Sequence, residues 1–71
     1  MNKYLVIFEK TGTGYSAYVP DLPGCIATGK TKTDTENNIY NAIRFHLEGL
    51  KLENLSIPKS RSEAGTLFVN V

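Results

Sequence analysis

Few side chains in this sequence could do chemistry. Cysteine and histidine occur once each, as Cys25 and His46, and the acids are Glu9, Asp21, Asp34, Glu36, Glu48, Glu53 and Glu63. A two-metal nuclease needs carboxylates clustered around ions about 3.5–4 Å apart. These acids fall instead at strand ends, at a helix start and in loops. A nucleophilic thiol needs a base and an electropositive setting, and nothing beside Cys25 supplies them. Following Gly24 at a strand start, Cys25 is expected as a small buried hydrophobe. His46 stands three residues after Ile43 and four after Ala42, against an apolar stripe, with no acid or nucleophile next to it in sequence. A partly buried, hydrogen-bonded ring is expected there. One thiol, one imidazole and scattered acids make no recognisable ligand set. The expectation is a protein without catalytic residues, cofactor or metal: not an enzyme.

The most constrained stretch is Val19-Pro20-Asp21-Leu22-Pro23-Gly24-Cys25. Each proline holds φ near −65° and pushes the residue before it towards extended geometry. Gly24 can take a positive φ without steric cost. The stretch is a specified corner between two strands. Asp21 has two readings, as a turn-forming carboxylate that satisfies local amides or as an exposed charge for a basic partner surface. Tyr15 and Tyr18 point to opposite faces, so one packs in the core and the other is open to a partner.

The elements around the corner follow from periodicity. Lys3 to Lys10 (KYLVIFEK) reads as a strand, with Tyr4, Val6 and Phe8 on one face and Leu5 and Ile7 on the other. Both faces are apolar at the centre, which implies cover on both sides. Thr11 to Gly14 forms a hairpin connection, its two glycines suited to positive φ. Tyr15 to Val19 and Cys25 to Gly29 read as the next strands. A helix follows, capped by Thr31 or Thr33 with Asp34 or Glu36 three residues on. Ile39, Ala42, Ile43, Leu47 and Leu50 form its apolar stripe, opposite Asn37, Asn41, Arg44, Glu48 and Lys51, and Asn54 stops it. After a polar loop, Thr66 to Val71 (TLFVNV) reads as a fourth strand, either at a sheet edge or paired across a dimer interface. The fold expected is α+β, β-β-β-α-β, an antiparallel sheet with one helix packed on one face.

Length and charge bound the rest. Seventy-one residues make a single domain, 1–71, with a net charge of +1. A chain this short buries only about 60% of its unfolded surface, so reinforcement is expected. A single cysteine excludes an internal disulfide, which leaves self-association, as a dimer or tetramer. Acidic and basic residues are interspersed, unlike the footprint of a nucleic-acid binder. The short loop Lys59-Ser60-Arg61, offset by Glu63, does not change that. No run is long enough to span a bilayer and no leader pattern is present. With one free thiol, this points to the cytoplasm and no membrane partner.

Together these residues resemble the HicB-type antitoxins. The resemblance is carried by Tyr4 to Phe8, Gly14-Tyr15 with Ala17, and above all the Val19 to Cys25 corner. It continues through Ala27-Thr28-Gly29, Thr31, Asn38, Ala42-Ile43 and Ile57-Pro58, so it covers nearly the whole chain. Thr33-Asp34-Thr35 departs from the family, where many relatives show Glu-Glu-Ala. The resemblance implies a partial ribonuclease H-like fold and a partner, a HicA-type mRNA-cleaving toxin whose active surface the domain covers. Many members carry a further DNA-binding module, whereas this sequence stops at Val71, so no direct DNA binding is expected from this chain alone. Partner contacts are expected at Tyr18, Pro20, Asp21, Leu22 and Pro23, and an oligomer interface at Leu5, Ile7 and Phe68. The alternative is an orphan self-associating structural or regulatory module with no toxin.

Overall fold

The computed structural model describes residues 2–71. Three strands, β1 (Ile7–Lys10), β2 (Tyr15–Tyr18) and β3 (Ile26–Gly29), precede one helix, α1 (Lys32–Leu52). The strands form an antiparallel sheet in the order β1-β2-β3. The α+β arrangement, three strands followed by one helix, is therefore as expected. The ladders are shorter than the apolar runs that mark them. β1 pairs only from Ile7, because the corner carries the chain away from the position where Tyr4 and Leu5 would find partners.

Register explains the core. Phe8 lies opposite Ala17, which lies opposite Ala27, so these three share the face that α1 covers. Ala17, Val19, Leu22, Cys25 and Ile39 are buried, with Tyr4, Val6, Phe8, Ala27, Ala42, Ile43 and Leu47 packed around them. Small residues at the centre of the sheet let the helix approach closely. At the end of β3 a Cβ on Gly29 would lie 2.6 Å from Thr35 Oγ1 and 2.7 Å from its backbone nitrogen. Thr35 is fully buried, and its hydroxyl is satisfied by donating to the Thr31 carbonyl at 2.8 Å.

Both helix ends are closed by local chemistry. Thr31, in extended geometry, is the N-cap, and its Oγ1 accepts from the Asp34 amide at 3.0 Å. At the other end Leu55 N donates to Leu50 O at 2.9 Å and Asn54 N to Lys51 O at 3.1 Å. With Asn54 at φ 56°, this is a Schellman closure, which satisfies carbonyls the helix leaves orphaned.

Two expectations are corrected. Residues 66–71 form no strand: the segment has no ladder partner and its apolar side chains are exposed. A strand requires a neighbour to receive its backbone groups, and here the chain runs past the sheet's end without joining it. The glycines of the first hairpin also serve differently from the expectation, since Gly24 is the described glycine with positive φ. Gly14 is required by space, as a Cβ there would meet the Gly29 carbonyl oxygen at 2.2 Å.

Candidate functional site

The corner that joins β2 to β3 consists of two consecutive turns. Leu22 N donates to Val19 O at 3.1 Å and Cys25 N to Leu22 O at 3.0 Å, while Val19 N donates to Cys25 O at 3.1 Å and closes the base. Pro23 followed by Gly24 at φ 81° supplies the geometry of a type II turn. Leu22, between the two turns, points inward and is fully buried. It was expected among the partner contacts, but the structure places it in the core as the anchor of the corner. Pro23 is exposed and Pro20 half-buried, so these two shape the outer rim.

Asp21 lies on the same rim. Its carboxylate accepts hydrogen bonds from Arg61 N at 2.8 Å, Ser62 N at 3.0 Å and Ser62 Oγ at 2.9 Å. The two backbone bonds, Arg61 first and Ser62 second, hold its pKa below the ordinary 3.8 and outweigh desolvation, while the Ser62 hydroxyl and the Arg61 charge add smaller contributions in the same direction. The Tyr4 hydroxyl donates to the Pro58 carbonyl beside it. The chain after the helix is thus strapped across the end of the sheet at two points.

The face of the sheet turned away from α1 is open. Ile7, Tyr18 and Ile26 lie opposite one another across all three strands, with Ile26 69% and Tyr18 38% exposed. Leu5, two residues before Ile7, is half-buried. Pro20 follows Tyr18 by two residues, so this row borders the corner, whereas Leu5 lines the groove between β1 and α1. Cross-strand neighbours of this kind stabilise a sheet modestly, but leaving Ile26 in water gains nothing for an isolated chain. Phe68 is 98% exposed and lies on the unpaired segment, away from the ladder that carries Ile7.

Two further apolar side chains, Phe45 and Tyr40, are largely exposed on α1, and they line separate grooves. Phe45 lines a groove of ~430 Å³ together with Cys25, Ile26, His46, Leu50 and Glu53. Within the helix Phe45 meets only Ala42 among apolar residues at three- or four-residue spacing, and Ala42 lines the same groove, so helical periodicity marks no stripe on that side. The groove gathers the single thiol and the single imidazole, yet no hydrogen bond joins them among the described residues. Cys25 is buried, and burial pushes its thiol upward from its ordinary value, away from the reactive thiolate. Among the described residues no group of three His, Cys, Asp or Glu stands close enough to hold a metal ion. No helix there is long and apolar enough to cross a membrane.

The site is thus an apolar strip on an open sheet face, bounded by a braced corner. The model of the HicB-like antitoxin of bacterial toxin–antitoxin systems matches residues 4–67. The chain belongs to the HicB-like antitoxin family. Relatives span distant hosts: a UPF0150 protein of Thermoplasma acidophilum is 46% identical over 92% of this chain and 96% of its own length. A 14.9 kDa protein from the rep–hol intergenic region of Haemophilus phage HP1 is 40% identical over 80% of this chain, which spans only 43% of that protein. Among solved structures, a chain of the HicA3 and HicB3 toxin–antitoxin complex is 32% identical with a TM-score of 0.71, covering 84% of this chain and 70% of that one. This HicB-like domain thus shares its fold with a chain from a toxin–antitoxin assembly, and the family points to a non-catalytic role.

Proposed function

We propose that this chain neutralises a HicA-type, mRNA-cleaving toxin by covering its active surface, with no chemistry or cofactor of its own. The observation that supports this most directly is the likeness, at 32% identity, to a chain of a HicA3 and HicB3 complex. The mechanism is occlusion. The Ile7–Tyr18–Ile26 row supplies apolar contact and Pro20 and Pro23 a fixed rim, while Tyr18 offers the amphipathic ring that interfaces favour. Asp21 is already engaged by the chain's own backbone, so its part is to brace the rim. The protein acts in the cytoplasm, as a homo-oligomer.

Co-expression with a short basic protein encoded beside its gene tests the proposal. The two are expected to co-purify, and the partner's RNA cleavage to stop once the antitoxin is in excess. Cleavage at full rate under that excess would overturn it. The second reading, a self-associating regulatory module without a toxin, draws on the exposed Leu67, Phe68, Val69 and Val71, which an oligomer interface would cover. A homo-oligomer that binds no such protein would favour it.

A further inference from the structure

Two unfinished features of the chain match each other. The first is the segment 66–71, in which Leu67, Val69 and Val71 alternate with Thr66, Phe68 and Asn70. Leu67 is 88% and Val69 75% exposed, an arrangement with β periodicity and no sheet to join. The second is the outer edge of β1. β1 pairs with β2 on one side only, so its other side presents free amides and carbonyls. Along that side, between the strand and α1, runs a groove of ~400 Å³ whose walls include Tyr4, Val6, Phe8, Ile39, Tyr40 and Ile43.

The segment is also long enough for that edge. Six extended residues span about 20 Å at roughly 3.3 Å each, enough to cover the four residues of β1, Ile7–Lys10, and to continue along the groove towards Tyr4. Within one chain the segment does not take this place. The Tyr4–Pro58 and Asp21–Ser62 contacts hold its base at the sheet's end, and beyond them it projects. The molecule measures 49 × 27 × 19 Å with a radius of gyration of 14.0 Å, against about 11 Å for a compact chain of this length.

We infer that residues 66–71 of one copy add as a strand to the β1 edge of a second copy, seating Leu67, Val69 and Val71 in its groove, with the exchange reciprocated. Because segment and edge belong to the same chain, two copies related by a two-fold axis satisfy each other and leave neither feature open. The exchange specifies the self-association proposed above and does not depend on a toxin. It also leaves the Ile7–Tyr18–Ile26 row free, since none of these three lines the groove.

The test uses the full chain in analytical ultracentrifugation and a mixed sample of isotope-labelled and unlabelled copies. A dimer is expected, with inter-copy nuclear Overhauser effects between Val69 methyls and the Tyr40 ring. The double variant Leu67→Asp, Val69→Asp changes only exposed positions. It is expected to keep the native circular dichroism while weakening dimerisation at least tenfold. A monomeric wild-type chain, a dimer unchanged by the double variant, or Val69–Tyr40 contacts confined to one copy would each overturn the exchange. Loss of dimerisation with toxin capture retained would support it and leave the antitoxin proposal standing.

Discussion

Asp21 braces the corner through its carboxylate, which accepts from Arg61 N at 2.8 Å and Ser62 N at 3.0 Å. Turn chemistry suggested that its carboxylate served neighbouring amides, with a partner's charge as the alternative. It instead receives amides forty and forty-one positions away, which no local pattern contains. Because its folded-state pKa is lowered, its contribution is fully present above the ordinary 3.8 and is lost as pH falls through the lowered value. The Arg61 and Ser62 amide resonances are therefore expected to hold steady from neutral pH to about pH 4 and to move below it. A midpoint at or above 3.8 would contradict the strap. Leu22 is the opposite case, a residue in an exposed-looking motif whose side chain is fully buried. Leu22→Ala is expected to cost about 2–5 kcal/mol, most of the ~3–5 kcal/mol that a core this small supplies. Urea unfolding measures it, and a loss below about 1 kcal/mol would place the side chain outside the core.

At the scale of elements, propensity and capping were good guides and loop glycines were not. The order of three strands and a helix followed from alternation and from the three- and four-residue stripe, and Thr31 and Asn54 marked the helix ends. Gly12 and Gly14 looked equivalent, as two glycines in one hairpin. Their surroundings separate them, because a Cβ at Gly12 meets nothing within 4 Å and one at Gly14 strikes backbone at 2.2 Å. Gly14→Ala is expected to destabilise by about 1–3 kcal/mol, as overpacking does. Gly12→Ala should stay within about 0.5 kcal/mol of wild type. Thermal melts of the pair decide it, and equal effects would mean that the close approach to Gly29 is not rigid. The Arg44–Glu48 pair at 3.7 Å is exposed on both sides and adds little by comparison.

Across the whole molecule, what is left uncovered matters as much as what is packed. The open sheet face and the segment 66–71 are apolar surfaces that a solitary chain has no use for. They involve different residues, so the proposed toxin contact and the proposed exchange between copies do not compete. Ile26→Asp tests the first without touching the core, since that side chain is 69% exposed. It is expected to leave the melting temperature almost unchanged while weakening toxin capture at least tenfold, a charge at a desolvated contact being costly. Titration calorimetry with the purified toxin measures this, and unchanged affinity would move the binding face elsewhere.

Local chemistry in the sequence determined the strand order, the capped helix, the corner and the family resemblance, because capping, turn geometry and side-chain period act over a few residues. The tertiary structure decided the rest. It buried Leu22, tied Asp21 to Arg61 and Ser62, drew Phe45 and His46 to a common groove, and left 66–71 without a neighbour. Each of these depends on which distant backbone arrives where, and a strand in particular exists only when another edge comes to receive it.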